Sequence, residues 1–316
     1  MPKHIPTSEE IPWKPLMVER YKRITDFEKF KEYSLAFLKK SIRVNTLKIS
    51  IADLKKRLEA DWNLEQVPFC KEGFWITHKR EDRRDIGNLP EHALGYFYVQ
   101  EAASMLPPLA LQPQEGDVVL DICAAPGSKT TQLGAMMKNT GLVVANDIVP
   151  TRLEALKINT QRCGLTNCII TKIQGYRFEQ IGIKFDKILL DAPCSGTGTI
   201  RKSLKTIRIF NVDMLKKISG EQKQLIRIAF QNLKEGGVMT YSTCSVEPEE
   251  DEAVVDFLLK ECKNAKLEEI DLKIKRGEPV LEWEGKKFSH EIKKCLRIWP
   301  QDNDTEGFFV AKIRKV

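Results

Sequence analysis

The chain has 316 residues, 42% of them hydrophobic and 30% charged, with a formal net charge of +7. That length fits two domains of roughly 150 residues, the composition excludes a largely disordered chain, and the mild basicity admits a nucleic-acid partner without arguing for one. No stretch reaches the roughly 18 uninterrupted apolar residues of a membrane span and Met1-Pro2-Lys3-His4 opens no secretory signal, so a cytoplasmic protein without membrane association is expected.

The first part, residues 1–92, reads as a small α+β unit. Residues 26–40 place Phe27, Phe30, Leu35 and Leu38 on one side of a helix. Residues 41–47 are a β-branched, alternating strand. A second helix is expected over 51–60 and a second strand over 73–76. From 93 to 316 strands and helices alternate. Apolar strands are expected at 117–121, 142–147, 168–172, 187–191 and 238–242. Thr151-Arg152-Leu153-Glu154 has the form of a capping box opening a helix that Gly164 ends. Residues 249–263 form a helix with acids at its start and lysines near its end, as the helix dipole favours. Near-continuous apolar strands between helices predict an α/β, doubly wound parallel sheet.

Ligands of such a sheet bind at the carboxyl ends of its strands. The first strand runs into Asp121-Ile122-Cys123-Ala124-Ala125-Pro126-Gly127-Ser128-Lys129, and the second ends in Asp147, 26 residues after Asp121. A later strand ends in Asp191-Ala192-Pro193-Cys194-Ser195-Gly196-Thr197-Gly198, and another in Ser242-Thr243-Cys244-Ser245. The small-residue loop after strand one lets a ligand approach backbone N–H groups, but it is not G-x-G-x-x-G, so a dinucleotide fits poorly. With an acid placed to hold a ribose diol, the pair points to a nucleoside cofactor without a pyrophosphate, S-adenosylmethionine.

A cysteine after a strand is commonly a small buried hydrophobe. Two cysteines beside an acid at the cofactor edge suggest chemistry instead. C5 of a pyrimidine is too weak a nucleophile to take a methyl group unaided. A thiolate added at C6 makes C5 enamine-like, a carboxyl group can hold or protonate N3, and a base must then remove the C5 proton. The residues alone leave both Cys194 and Cys244 open as the attacking thiol. The eight cysteines include no C-x-x-C pair, and the Cys163–Cys168 turn lacks a second ligand pair, so neither a disulfide framework nor a metal is expected.

Together, Asp121-Ile-Cys-Ala-Ala-Pro-Gly-Ser-Lys-Thr, Asp191-Ala-Pro-Cys-Ser-Gly-Thr-Gly and Ser242-Thr-Cys-Ser resemble the Nop/Sun family of RNA cytosine-C5 methyltransferases. The resemblance runs from about Arg43 to the end. It includes Arg43-Val-Asn-Thr-Leu, Val99-Gln-Glu-Ala-Ala-Ser104, Glu249-Glu-Asp-Glu252 and Gly307-Phe-Phe-Val-Ala311. It implies a Rossmann-like (class I) S-adenosylmethionine-dependent methyltransferase domain behind a small N-terminal α+β RNA-binding domain. It implies Cys244 as nucleophile and Cys194 as the residue that resolves the covalent RNA adduct. Asp191 would hold the cytosine edge and lie near the cofactor. Cys123, Ala124, Ala125, Pro126, Gly127, Ser128, Lys129, Asp147 and Arg152 would line the cofactor pocket. Two positions depart from the family pattern. Gln174 and Gly175 stand where an acid near the adenine is frequent, and Gln301 stands where His is frequent.

For RNA, residues 200–234 carry nine bases against two acids, a net +7 that includes Arg201 and Lys202, directly after the Pro-Cys loop. They suggest phosphate contacts; the plainer reading is a solvated helix face. Arg43 and Asn45, two apart on a strand, are expected to face the RNA together. The target base must leave any stack, and a compact folded RNA, tRNA before ribosomal RNA, is the expected substrate of a monomeric enzyme. The competing readings are a nicotinamide-dependent oxidoreductase, a DNA cytosine methyltransferase and a non-catalytic RNA-binding scaffold.

Overall fold

In the computed structural model, which describes residues 3–80 and 85–316, the chain opens with α1 (Pro15–Lys22) and α2 (Phe27–Ser34). Asp26 caps α2 by accepting from the Lys29 N–H at 3.2 Å. The two helices bury Met17, Tyr21, Phe27 and Phe30 against Ile207, Phe210, Leu215 and Trp299, from much later in the chain. α2 stops at Ser34, short of the expected 40. The backbone beyond it is claimed by distant partners: Leu35 O accepts from the Ile5 N–H, Phe37 N–H donates to Lys3 O, and the Ala36 and Phe37 carbonyls accept from Arg201. Long-range pairing overrides local periodicity here.

Next come β1 (Ser41–Val44), α3 (Ile51–Leu58), β2 (Trp62–Gln66), β3 (Gly73–His78), α4 (Pro90–Ala93) and β4 (Phe97–Val99). The strands form an antiparallel sheet in the order β2-β3-β1-β4. Leu54 and Leu58 of α3 pack on Ile42, Val44, Trp62, Phe74 and Ile76. The sheet takes in β4, beyond residue 92. The edge strand β2 went unread in the sequence because only Trp62 in it is buried.

The larger unit follows as α5 (Leu106–Leu111), β5 (Val118–Asp121), α6 (Ser128–Met136), β6 (Leu142–Asn146), α7 (Pro150–Cys163), β7 (Cys168–Thr171) and β8 (Phe185–Asp191). It continues through α8 (Lys205–Ile209), α9 (Val212–Gln231), β9 (Leu233–Thr243), α10 (Glu252–Glu261), β10 (Ala265–Glu268), β11 (Glu282–Trp283) and β12 (Lys286–Lys287). β13 (Leu296–Ile298), α11 (Pro300–Asn303) and β14 (Phe308–Lys315) complete it. The main sheet has the order β10-β14-β9-β8-β5-β6-β7, with β13 paired to β14. β5 to β9 are mutually parallel, while β14 runs antiparallel to β9 and β10 antiparallel to β14. Val119, Leu120, Ile188, Leu189 and Leu190 are buried, as a strand covered on both faces requires. From β5 the chain winds outward to β6 and β7, then returns as β8 on the other side of β5. That reversal opens a crevice at the carboxyl ends of β5 and β8.

Two helix starts differ from their sequence reading. α7 begins at Pro150, with Val149 as its cap and no side-chain cap, so Thr151 makes no capping box. Asp147 Oδ1 instead accepts from the Val149 N–H at 3.0 Å. α10 begins at Glu252, and Glu250, Asp251 and Glu252 are buried rather than set in solvent at a helix start. Arg297 meets Asp251 at 3.0 Å and Glu252 at 2.6 Å. Among the described residues no helix is long and apolar enough to cross a membrane.

Candidate active site

The crevice is built from four strand ends. At β5, Asp121 is buried and accepts from Thr130 Oγ1 at 2.7 Å; burial lifts its carboxyl to about 7, and its Oδ1 has no hydrogen-bond partner. The loop 122–127 then turns into α6 through Gly127 at φ 103. A side chain there would be strained, and its Cβ would sit 3.0 Å from Leu156 Cδ1. Asp147, just past β6, accepts from the Ala125 N–H at 3.3 Å, and Arg152 meets it at 3.4 Å while donating to the Ala125 carbonyl at 2.5 Å. Burial, then Asp121, pushes the Cys123 thiol up. Beside Asp147, Ile148 is 56% exposed, an apolar plate that the sequence reading passed over.

Lys129, on the first turn of α6, reaches across the crevice. Its Nζ donates to Asp191 Oδ2 at 2.6 Å and to Ser104 Oγ at 2.9 Å. Burial works against the ammonium, but Asp191 more than offsets it and raises Lys129 above the ordinary lysine range. Ser242 Oγ donates to Asp191 Oδ1 at 2.7 Å. Both oxygens of Asp191 thus have donors, which fixes the carboxylate at the end of β8.

The two thiols meet beside it. Cys194 Sγ and Cys244 Sγ are 3.2 Å apart. The hydrogen bond to Cys244, with burial, pushes the Cys194 thiol well up. Glu250 holds the Pro-Cys loop to the end of β9: it accepts from the Ser195 N–H at 2.9 Å, from Ser245 Oγ at 3.1 Å and from Gln222 Nε2 at 3.1 Å. Gly198 passes so close to β9 that an added Cβ would lie 2.8 Å from Cys244 O. Ser104, Ser242 and Glu250 were missed as site residues. Ser242 opens the Ser242-Thr243-Cys244-Ser245 motif but carried no role there, whereas Ser104 and Glu250 had only the resemblance to mark them.

Three expected RNA contacts are corrected by burial. Arg43 is buried and donates to Gln100 Oε1, to Ser128 O at 2.7 Å and to Thr131 Oγ1 at 2.9 Å, tying the first sheet to α6. Asn45 is buried and donates to the Gly95 and Cys163 carbonyls, both at 2.8 Å. Arg201 is buried against Asp304 at 2.8 Å and the Phe37 carbonyl at 2.7 Å. Lys202 is exposed, as are Lys205, Arg208, Lys216, Lys217 and Arg227. Among the described residues no group of three or more His, Cys, Asp or Glu side chains forms a metal cluster.

Residues 108–314 match the family model of the 16S rRNA methyltransferase RsmB/F, and residues 15–102 match the N-terminal domain of 16S rRNA methyltransferase RsmF. The chain belongs to the RsmB/F family of RNA methyltransferases. It is 47% identical over 95% of both chains to the tRNA (cytosine(49)-C(5))-methyltransferase of Pyrococcus abyssi. It is 43% identical to the ribosomal RNA small subunit methyltransferase F of Shewanella oneidensis over 88% of this chain, which spans 57% of that protein. Among solved structures it resembles a methyltransferase homolog from Pyrococcus horikoshii at TM-score 0.87 and 37% identity, covering 99% of this chain and 100% of that one. It also resembles NSun6 from Pyrococcus horikoshii with SFG at TM-score 0.83 and 26% identity, covering 96% of this chain and 98% of that one. As an RsmB/F enzyme the chain methylates C5 of cytosine in RNA and depends on S-adenosylmethionine. The residues at the crevice suit the chemistry of that cofactor: the small-residue loop 123–127 offers backbone groups, Asp147 a carboxylate and Ile148 an exposed apolar side chain.

Proposed function

We propose that the chain methylates a cytosine of tRNA, with Cys244 as nucleophile and Cys194 as the thiol that releases the product. The 3.2 Å approach of the two sulfurs beside the Lys129–Asp191 pair carries this reading. Cys194 holds its proton and is the natural donor to a Cys244 thiolate. The thiolate adds to C6 of a flipped cytosine. Asp191, acceptor-only while paired with Lys129, accepts from the exocyclic amine and holds the base edge. The cofactor, when bound along 123–129, Asp147, Arg152 and Asp191, supplies an electrophilic methyl group. C5 takes that methyl and gives its proton to solvent water, the C5=C6 bond re-forms as the C6–S bond breaks, and Cys194 protonates the departing Cys244 sulfur.

Identity to the Pyrococcus abyssi enzyme over nearly all of both chains favours tRNA; the RsmF relatives make ribosomal RNA the second reading. Lys202 and the exposed bases of α8 and α9 are the phosphate-facing surface in this reading. The enzyme works as a cytoplasmic monomer. The test is incubation with S-adenosylmethionine and unmodified tRNA or ribosomal RNA transcripts, then mass spectrometry of the digested nucleosides. Formation of 5-methylcytidine in tRNA is expected. Its formation in ribosomal RNA only would overturn the substrate assignment.

A further inference from the structure

Cys244 and Cys194 are held in place by different means. Cys244 directly follows β9, whose last residue Thr243 pairs with Phe309 of β14, so the sheet itself fixes it. Cys194 lies beyond the end of β8 at Asp191. Its loop leaves the sheet where the Ala192 N–H donates to Ser242 O at 2.8 Å and returns where the Gly198 N–H donates to Cys244 O at 3.0 Å. Between those points a clamp takes over. Gln222 of α9 is fully buried, and its Nε2 donates to the Pro193 carbonyl at 2.8 Å and to Glu250 Oε2 at 3.1 Å. The same Glu250 oxygen accepts from the Ser195 N–H at 2.9 Å, so the residues on both sides of Cys194 are tied down. Glu250 Oε1 accepts from Ser245 Oγ at 3.1 Å, and one carboxylate thereby bridges the residues that follow the two thiols.

We propose that Gln222 is a positioning residue for product release: through Pro193 and Glu250 it holds Cys194 where its thiol gives a proton to the departing Cys244 sulfur. This rests on the roles of the two thiols given above. The step it serves balances. C5, already methylated, gives its proton to water, and the electron pair of that C–H bond re-forms C5=C6. The C6–S pair leaves on the Cys244 sulfur, which takes the Cys194 proton, and the Cys194 thiolate recovers a proton from water.

The geometry of Gln222 suits this role. Its Oε1 is buried without a hydrogen-bond partner. Turning the amide over would not relieve that, because Pro193 O and Glu250 Oε2 are both acceptors and would then face an oxygen. The two donations therefore fix the amide against an unmet acceptor, which marks a side chain kept for what it holds. The sulfurs lie at 3.2 Å, a hydrogen-bonding distance, and a proton passes directly only within such reach. Loss of the clamp frees the 193–195 segment but leaves Cys244 on its strand. Asp191 stays held by Lys129 and Ser242, outside the clamp. Addition and methyl transfer survive, and release fails.

The test pairs a denaturing gel with single-turnover and steady-state kinetics, using S-adenosylmethionine and an RNA transcript that the wild type methylates, with Cys194→Ala as the reference for a trapped adduct. Gln222→Met fills the site without the amide. It should accumulate the covalent protein–RNA adduct, keep single-turnover methyl transfer within about 3-fold of wild type, and slow steady-state turnover by about 10- to 100-fold, as a misplaced reacting group does. Gln222→Asn, which keeps the amide on a shorter stem, is the second variant should Met disturb the buried site, and it should trap adduct to a smaller extent. Ser219→Ala is the control: Ser219 Oγ donates to Glu249 O at 2.7 Å in the same packing of α9 on the link from β9 to α10, so its loss should lower Tm without trapping adduct. Wild-type turnover without adduct in the Gln222 variants, equal slowing of methyl transfer and turnover, or equal trapping by Ser219→Ala overturns the proposal while Cys194→Ala still traps its adduct. Absence of adduct in Cys194→Ala overturns the thiol assignment itself, and the proposal with it.

Discussion

Lys129 shows how much a single side chain organises. Its ammonium lies between Asp191 and Ser104, and Phe308 lies under it at 5.5 Å. Lys129→Met keeps the length and apolar stem but leaves Asp191 without its cation. We expect a loss of methyl-transfer rate of about 100-fold or more, the size seen when an aligned charge-stabilising donor is removed. Thermal melting should separate this from unfolding. Sequence alone placed Lys129 in the loop after β5 without a partner, because Asp191 lies 62 residues away on another strand. Gln301 is the opposite case. It donates to Thr25 Oγ1 at 2.9 Å, in the packing of α11 on α2, so the His frequent there in the family is not needed at this crevice for the roles assigned here.

Among elements, the link from β9 to α10 does the most positioning. Glu247 takes Arg20 at 2.7 Å and Tyr21 at 2.6 Å, Glu250 holds the Pro-Cys loop, and Asp251 and Glu252 take Arg297. Desolvating so many charges is costly, and the pairs offset that cost only while complete. Arg297→Met should therefore cost roughly 3–5 kcal/mol and lower Tm by several degrees. These acids read in the sequence as a helix start complementing a dipole, because their partners come from α1 and β13. The strands fared better. The central strands β5 and β8 were legible from their apolar runs, since burial on both faces leaves little choice of residue; the edge strand β7 was legible from its β-branched residues although none of them is buried. The capping box at Thr151 failed because the pattern does not specify which residue begins the helix; Pro150, one position earlier, took the first turn.

Across the whole molecule, charge divides into buried ties and an exposed face. Arg43 and Arg201 belong to the first group, and nothing in their local sequence separated them from surface bases. Substituting either by Met should lower stability without changing the salt dependence of RNA binding. Lys205, Arg208, Lys216 and Lys217 lie exposed on α8 and α9. Replacing all four by Ala should weaken binding and flatten the dependence of log affinity on log salt, by about 0.7–0.9 for each RNA phosphate that no longer meets a base. Titration of RNA binding at several salt concentrations measures this directly. The crevice itself was legible from sequence because its residues cluster in three short motifs at strand ends. Ser104 arrives through the link before α5, which topology brings to Lys129 and local pattern does not.

The division of labour between the two thiols is the central claim, and a denaturing gel with Cys194→Ala tests it most directly. Incubated with S-adenosylmethionine and tRNA, this variant should accumulate a covalent protein–RNA adduct that maps to Cys244, and Cys244→Ala should form neither adduct nor 5-methylcytidine. An adduct that appears only when Cys194 is intact, or full methylation by Cys244→Ala, would contradict the account.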